Sequence, residues 1–385
     1  MVDCIVDDPR WDHQVEHRSW LYASLVAELG VDLQRFRAAY AGPADPMDDS
    51  NAWLAVGVLE DLARAGIEGS VSELRHYLRT RRDTYLALNA LLPFHDRPEA
   101  RGLLDEVLAV ADDDDLRRAI DDCAAMPWPQ WRAESARIER VLMAEEQCRR
   151  APEPRPTPRA VRAAAERERI LDVAVDAALI QPVTATDLSD AQWEATLLAI
   201  APVLLEDAFT PLRVRIAVRR HLRQLRSPRA LAWARANAGM DTDFAFQALS
   251  LLCEIGEGSD AARLSDYLVG TRTASDDDIY AQCTLVSGLT RLAYAPAVPM
   301  FESLFDTTVY SYLRERCARG LSLLSMSFAH DRAFECLTDA ESGIRAIGIA
   351  QVDLSRPQAR ERLTRIARDA MEDEDNRRAA AVRKI

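Results

Sequence analysis

Residues 314–321 read RERCARGL, and this pattern of small and aliphatic residues decides the fold because it returns along the second half of the chain. Five such segments end on an aliphatic residue, and these end residues lie 30, 37, 32 and 31 positions apart. A short turn and a second apolar segment follow each of them. The five segments are RIAVRRHL (215–222), AFQALSLL (245–252), AQCTLVSGL (281–289), RERCARGL (314–321) and RAIGIAQV (345–352).

This spacing predicts a series of repeated helix pairs. Helical periodicity runs through almost the whole sequence, and strand-like alternation is nearly absent. A helix pair that repeats every 30–37 residues is typical of an α-solenoid, in which each pair buries its apolar face against its neighbours. Division of 385 residues by a repeat of about 35 predicts a right-handed solenoid of about ten or eleven pairs. Small residues stand where helices must approach closely, at Ala217, Ala248, Cys283 and Cys317.

Many predicted helix starts carry capping chemistry. Ser, Thr or Asp side chains accept hydrogen bonds from first-turn amides, and proline is tolerated in the first turn. Examples of such starts are Thr84, Ser189, Pro228, Thr242 and Pro357. The acidic runs 112–115, 276–278 and 372–375 are interpreted in the same way, as caps on solvated turns rather than as metal sites.

A proline-rich stretch divides the helical sequence. APEPRPTPR, residues 151–159, has four prolines at alternate positions, and this arrangement excludes helix and favours an extended connector. We therefore predict an N-terminal helical segment over 1–150, a Pro/Arg-rich connector over 151–159 and a C-terminal repeat segment over 160–385.

Three repeats contain an apolar residue followed by arginine, at Val214-Arg215, Leu313-Arg314 and Ile344-Arg345. Asp339 lies six residues before Arg345, and Asp276 lies six before Gln282. This pattern resembles HEAT repeats of the phycobilisome-lyase type, in which an acidic residue precedes an apolar–arginine step, small residues and leucine. The resemblance is clear over about 205–385 and weaker over about 45–125. The stretch 8–26, DPRWDHQVEHRSWLYASLV, is also similar to a group of actinobacterial HEAT-repeat proteins.

The resemblance implies a fold class and a place for the arginines. The fold is expected to be all-α, an α–α superhelix or HEAT-like solenoid of stacked helix pairs, with a degenerate version of the repeat in 1–150. The helix with the apolar–arginine step is expected to be the inner one, which lines a concave groove. The segments that begin at Ala245 and Gln282 depart from the pattern because they lack the arginine. HEAT repeats specify a fold and leave the function open.

A basic segment stands out in a chain of net charge −14. Residues 211–235 contain eight arginines, and no acidic residue occurs between Asp207 and Asp241. At about 100° per residue, a buried stripe is predicted on this helix, formed by Val214, Val218, Leu222 and Leu225. One flank of that stripe carries Arg215, Arg219, Arg223 and Arg226, and the other side carries Arg213 and Arg220.

Two interpretations of the Arg215–Arg226 stripe stay open. In the first, the arginines face a concave surface and make bidentate contacts to carboxylates or phosphates of a partner. In the second, they pair with acidic residues of adjacent helices in a structural Asp–Arg ladder. Trp233, on the following helix, is the candidate apolar anchor of such a groove, although core packing is the commoner fate of tryptophan.

We therefore predict a non-enzymatic scaffold or adaptor that binds a protein or peptide partner, acidic or phosphate-bearing, in an arginine-lined groove. The alternative is a nucleic-acid enzyme of the alkylpurine DNA glycosylase type. The resemblance to that HEAT-like family implies a basic groove with tryptophans and an aspartate, for which Trp193, Trp233 and Asp207 are the candidates. The net negative charge of the chain disfavours this alternative, because it repels duplex DNA.

No other chemistry is predicted. The sequence lacks HExxH, GxSxG, GxGxxG and P-loop motifs, so no catalytic residue, metal site or cofactor is expected, and the pair His13 and His17 is interpreted as an exposed face. An odd number of cysteines without CxxC predicts reduced thiols and a cytoplasmic location. The longest apolar run, about 195–205, is too short to span a membrane, and no secretory signal is expected.

Overall fold

The computed structural model describes residues 18–41, 50–122, 127–150, 159–271 and 276–383. Within these ranges the chain forms helices, turns and loops, and none of these residues lies in a β-strand. The predicted connector over 151–158, Trp11 and the His13–His17 pair lie outside the described residues. The predicted all-α class, built from helices that pack on their neighbours along the chain, is confirmed.

The α-helices are numbered here in chain order. The first group comprises α1 (Ser19–Leu29), α2 (Ser50–Arg64), α3 (Ser70–Thr80), α4 (Thr84–Leu91), α5 (Leu103–Val110), α6 (Asp113–Asp122), α7 (Trp128–Glu134) and α8 (Ala136–Arg150). The second comprises α9 (Arg159–Asp176), α10 (Asp190–Glu206), α11 (Leu212–Gln224), α12 (Pro228–Asn237), α13 (Asp243–Ile255), α14 (Ala261–Gly270), α15 (Asp276–Arg291), α16 (Val298–Thr307) and α17 (Ser311–Leu324). The third comprises α18 (Phe328–Asp331), α19 (Ala333–Cys336), α20 (Ser342–Gln351), α21 (Pro357–Arg368) and α22 (Glu374–Arg383).

The helix starts follow the predicted capping chemistry. The Asp83 carboxylate accepts a hydrogen bond from the Leu86 amide at 2.9 Å, directly before α4. Ser227 does the same for α12, where its Oγ lies 3.0 Å from the Ala230 amide and Pro228 occupies the first turn. These side chains satisfy amides that have no partner inside the helix, so the local sequence fixes where each helix begins.

Contacts divide the chain into two compact units, which are described separately. Unit one comprises residues 1–153 and 329–385, and unit two comprises residues 154–328. The last helices of the chain therefore belong with the first ones. The sequence-based division into 1–150, 151–159 and 160–385 stays a prediction, and the contact units separate residues within its third segment.

Unit two is a double layer of helices. Helices α11, α13, α15 and α17 pack side by side in chain order and form the layer that we call the inner helices, with α9 packed against α11. The intervening helices cover one side of this layer. Helix α10 packs on α11 and α13, α12 packs on α13, α14 packs on α15, and α16 packs on α17. The predicted buried stripe is confirmed at Val214, Val218 and Leu222, whereas Leu225 is only partly buried.

Small residues allow the inner helices to approach closely. A Cβ atom placed on Gly288 of α15 would lie 2.7 Å from the Cβ of Cys253 on α13, well inside van der Waals contact. The four small residues predicted at close approaches, Ala217, Ala248, Cys283 and Cys317, are all buried. The spacing of the inner helices is thus set by the small side chains between them.

Unit one repeats the same arrangement with shorter helices. Helices α2, α4, α6 and α8 pack in succession, and α3 covers α2 and α4. Their shared core contains Leu59, Leu62, Tyr77 and Trp128, all less than 2% exposed. In the final part of the chain, α20 packs on α22 and α21 packs on α22.

The first and last helices of unit one meet at Trp20. The indole Nε1 of Trp20 donates a hydrogen bond to the Asp369 carboxylate at 3.0 Å, and the Arg345 guanidinium lies 3.9 Å from the centre of the indole ring. Met371 also packs against the core of the first helices. Unit one therefore joins the two ends of the described chain in a single core.

Arg345 is the centre of a buried ion pair. Its Nε and Nη2 donate to the two carboxylate oxygens of Glu372 at 2.6 and 2.8 Å, and Nη1 donates to the carbonyls of Asp339 and Ala340. Asp339, which lies six residues before Arg345 in the HEAT-like pattern, contributes its backbone carbonyl, and Glu372 provides the carboxylate. The interpretation of the acidic run 372–375 as a solvated cap is wrong for Glu372, because its side chain is buried. It is right for Asp373, whose carboxylate accepts hydrogen bonds from the amides of Asp375 and Asn376.

Candidate binding groove on the inner helices

A cavity of about 680 Å³ opens on the face of the inner helices that the outer layer leaves uncovered. An adjoining cavity of about 450 Å³ shares four of its residues, so the two form one continuous depression. We call it the inner groove and define it by the residues that line either cavity: Arg223, Arg226, Phe246, Ser250, Cys253, Glu254, Tyr280, Cys283, Thr284, Ser287, Gly288, Thr290, Arg291, Tyr312, Glu315, Arg316 and Arg319.

Helical spacing explains why these residues share one surface. Residues three, four and seven positions apart lie on one side of a helix. Helix α13 contributes residues 246, 250, 253 and 254, helix α15 contributes residues 280, 283, 284, 287, 288, 290 and 291, and helix α17 contributes residues 312, 315, 316 and 319. Each of the three helices places an aromatic ring in its first turns, namely Phe246, Tyr280 and Tyr312.

The inner groove is positively charged although the chain as a whole is acidic. Five arginines line it against two glutamates, Glu254 and Glu315. Glu315 forms an ion pair with Arg319 at 2.9 Å, and Glu254 lies 3.7 Å from Arg226. The remaining arginines, Arg223, Arg291 and Arg316, form no ion pair within the described ranges of the chain, so the groove has a local excess of positive charge.

Arg291 is held in place by backbone carbonyls. Its Nε donates to the carbonyl of Cys253 at 2.8 Å and its Nη2 donates to the carbonyl of Gly256 at 2.7 Å. These carbonyls belong to the carboxyl end of α13, where unpaired acceptors and the helix dipole favour a cation. The guanidinium is thereby fixed without neutralisation by a carboxylate, and Nη1 has no hydrogen-bond partner in the described part of the chain.

Arg316 is held by hydroxyl groups and an aromatic ring. Its Nη1 donates to Ser287 Oγ at 2.8 Å, its Nη2 donates to the hydroxyl of Tyr312, and its guanidinium lies 4.1 Å from the centre of the Tyr312 ring. Its Nε is buried and has no partner among the described residues. Arg316 is thus a fixed cation whose charge is available to a ligand.

Ser250 is a buried polar group without a partner. It is 6% exposed, it lines the larger cavity, and its hydroxyl makes no hydrogen bond within the described residues. An unsatisfied buried hydroxyl costs free energy, so native proteins rarely keep one without a ligand or a water molecule to satisfy it.

Two cysteine thiols line the groove, and burial disfavours their reactive thiolate form. Burial raises the pKa of Cys253 to about 12 and that of Cys283 to about 11. The thiolate is the reactive form of cysteine, and at neutral pH these two side chains are protonated. They therefore act as small apolar residues in the floor of the groove.

The predicted stripe Arg215, Arg219, Arg223 and Arg226 is divided between two roles. Arg223 and Arg226 line the inner groove, where Arg226 Nη1 also donates to the carbonyls of Arg223 and Leu225. Arg219 instead pairs with Asp243, the first residue of α13, at 2.5 Å, as the structural ladder predicts. Arg215 lies one turn before Arg219, does not line either cavity, and has no acidic partner within the described ranges.

The predicted tryptophans pack in or against the core of unit two, and neither lines the groove. Trp233 is partly buried against the cluster of α9–α11, and Trp193 is 3% exposed. Trp193 packs against Arg167 and against His221, whose pKa is lowered by burial. Asp207 accepts hydrogen bonds from its own turn, from the Phe209 amide and the Thr210 hydroxyl. The geometry therefore does not bring Trp193, Trp233 and Asp207 together around the inner groove.

Sequence reasoning missed most of the groove. It did not single out Ser250, Tyr280, Arg291, Tyr312 or Arg316. A signal was present in the repeat register, because Tyr280 lies nine residues before Leu289 and Tyr312 lies nine before Leu321. On each inner helix, the polar residues spaced three, four or seven positions apart indicate the face that lies opposite the buried aliphatic residues.

Neither the protein-family models, nor the curated proteins, nor the solved structures compared with this chain match it. Across the described residues, no helix has both the length and the apolar character needed to cross a bilayer. In the same ranges, no group of three or more His, Cys, Asp or Glu side chains is arranged to hold a metal ion.

Proposed function

We propose that this chain is a non-enzymatic adaptor that binds an acidic segment of a partner protein in the inner groove. The observation that carries the proposal is the pair Arg291 and Arg316. Each guanidinium is fixed by neutral groups, and neither is neutralised by a carboxylate in the described part of the chain. A partner carboxylate supplies the missing negative charge through charge-assisted hydrogen bonds.

The form of the groove supports a peptide segment as the ligand. It extends over three successive inner helices and continues from the larger cavity into the smaller one. Its aromatic rings, Phe246, Tyr280 and Tyr312, offer apolar contact area between the arginines. Tyrosine and arginine are among the side chains that contribute most to binding energy at protein interfaces.

The groove chemistry supports binding rather than catalysis. The two thiols in its floor are held protonated by burial. Arginine does not exchange protons near neutral pH, and it is suited to bidentate recognition of anions. The likeness to HEAT repeats, whose inner helices line a groove, and the buried free thiols of Cys253, Cys283, Cys317 and Cys336 support a cytoplasmic scaffold of HEAT type.

The glycosylase-type alternative has no comparable support. Trp193 is buried in a core, and the Asp207 carboxylate is occupied by its own turn. The positive charge of the inner groove remains compatible with a nucleic-acid ligand, so DNA is included as an arm of the test.

The test is fluorescence anisotropy with a short labelled peptide rich in Glu and Phe. We expect saturable binding to the full chain, and a loss of at least about tenfold in affinity in the double variant Arg291→Gln, Arg316→Gln, since one tenfold step corresponds to about 1.4 kcal/mol. The matched control is Arg213→Gln, Arg365→Gln, which removes the same charge from exposed positions outside the groove.

Two results would contradict the proposal. One is equal affinity of the groove variant and the control variant, since the peptide would then bind elsewhere. The other is the absence of peptide binding together with steeply salt-dependent binding of duplex DNA that Arg219→Ala plus Arg223→Ala abolishes, which would favour the nucleic-acid alternative.

A further inference from the structure

We propose that the bound segment carries a phosphate monoester on a side chain, and that this phosphate binds beside Ser250, Arg291 and Arg316 in the inner groove. The inference rests on the proposed function, because it specifies the ligand chemistry of the same groove.

The three residues are brought together by contacts between neighbouring helices. Arg291 extends from α15 to the Cys253 carbonyl on α13, and Cys253 lies one turn after Ser250. Arg316 extends from α17 to Ser287 on α15, and Ser287 lies one turn before Arg291. All of them line the same cavity.

These residues present hydrogen-bond donors that need acceptors. The Ser250 hydroxyl and the Arg316 Nε are buried without partners in the described chain. Arg291 uses Nε and Nη2 for backbone carbonyls, which leaves its Nη1 for a ligand. The Tyr312 hydroxyl accepts from Arg316, so its own proton can be donated. A fitting ligand must therefore bring several acceptor oxygens.

A phosphate monoester satisfies these donors better than a carboxylate does. It has three terminal oxygens and carries a charge of about −1.5 to −2 at neutral pH, whereas a carboxylate has two oxygens and a single charge. The larger cavity contains four arginines and one glutamate, so a dianion leaves no unbalanced negative charge there.

The dimensions favour a phosphorylated side chain within a peptide over a free phosphate ion. A cavity of about 680 Å³ is far larger than one phosphate, and the rings of Phe246, Tyr280 and Tyr312 offer surface for the side chain that bears it. The adjoining cavity of about 450 Å³, which Arg291 and Arg316 also line, is placed to receive flanking acidic residues.

The experiment compares four probes of one sequence, with phosphoserine, phosphotyrosine, glutamate or serine at the central position, and inorganic phosphate as a competitor. Binding to the full chain is measured by anisotropy. We expect one of the two phosphopeptides to bind at least about tenfold more tightly than the glutamate peptide, and inorganic phosphate to compete only at far higher concentration.

The decisive variant is Ser250→Ala. It removes one hydroxyl that has no partner, so the variant should unfold at the same temperature as the wild type or higher. We expect it to weaken the preferred phosphopeptide several-fold and to leave the glutamate peptide unchanged. Ser322→Ala on α17 is the control, because Ser322 lies outside both cavities and its hydroxyl bonds to the Arg319 carbonyl.

The outcomes separate this inference from the proposed function. If the glutamate peptide binds tightly and neither phosphopeptide binds more tightly, the inference of a phosphate ligand is overturned and the proposed adaptor function stands. If the phosphopeptide still binds more tightly than the glutamate peptide in both Ser250→Ala and Arg316→Gln, the phosphate does not bind at the position assigned to it. Failure of every peptide to bind contradicts the proposed function itself.

Discussion

Arg345 of unit one and Arg316 of unit two show two uses of arginine on stacked helices. Arg345 is 2% exposed, forms a bidentate pair with Glu372, donates to two carbonyls and covers the ring of Trp20. Arg316 is held by a serine, a tyrosine hydroxyl and a ring, and no described carboxylate pairs with it. The first arginine is neutralised within the fold, whereas the second keeps its charge for a ligand.

The difference lies in the neighbouring repeat. Glu372 precedes α22, which packs against α20, and its carboxylate therefore reaches Arg345 from the next helix pair. Arg316 instead contacts the preceding inner helix α15, which offers the neutral hydroxyl of Ser287. The neighbouring helix pair thus supplies a carboxylate to Arg345 and a hydroxyl to Arg316, and only the first arginine is neutralised within the fold.

The largest expected effect is loss of the buried pair. Glu372→Gln leaves the guanidinium of Arg345 buried without its counter-charge, which costs about 3–5 kcal/mol for a pair of this kind. Native-state hydrogen exchange over α20 and α22 measures that loss in unit one. Arg316→Gln serves as the control and should cost unit two only about 0.5–1.5 kcal/mol, because it breaks hydrogen bonds to hydroxyl groups and leaves no buried carboxylate unpaired. Similar losses in both variants would remove the distinction between the two arginines.

A second prediction contrasts the core of α17 with its exposed face. Leu321 is fully buried, so Leu321→Ala should destabilise unit two by about 2–5 kcal/mol through lost burial and a residual cavity. Leu323, two residues later, is 67% exposed, and Leu323→Ala should change stability by less than about 0.5 kcal/mol. Thermal unfolding measures both. An unchanged melting curve for Leu321→Ala would show that the repeat register is wrong.

The smallest expected effect separates two arginines of α11. Arg219→Gln removes a partly exposed pair with Asp243 and should cost between about 0 and 1 kcal/mol without weakening the acidic peptide. Arg223→Gln should leave stability unchanged and lower peptide affinity, because Arg223 lines the groove and pairs with no described carboxylate. If Arg219→Gln weakened the peptide and Arg223→Gln did not, the binding surface would lie along the first half of α11.

Sequence patterns predicted what depends on local spacing. Helical periodicity acts within one helix, and it predicts the buried stripe of Val214, Val218 and Leu222 and the place of Arg223 and Arg226 on its flank. The all-α class follows from the same periodicity.

Contacts between helices explain what the sequence left open. Asp243 neutralises Arg219 from 24 residues away, and Glu372 neutralises Arg345 from 27 residues away, so neither pairing is visible in a local pattern. The groove residues Tyr280, Arg291 and Arg316 lie on two different helices and share a surface only after those helices stack. Trp233 shows the converse, since this aromatic residue near a basic helix packs partly buried against the core and does not line the groove.

The most direct test of the account is the hydrogen-exchange footprint of the bound Glu- and Phe-rich peptide on the full chain. We predict slower exchange in 243–255, 276–291 and 311–324, the three helices that line most of the groove, and unchanged exchange in 342–351, where Arg345 is already neutralised. Protection confined to other segments, with these three helices unaffected, would contradict the claim that the un-neutralised arginines of the inner groove are the recognition surface.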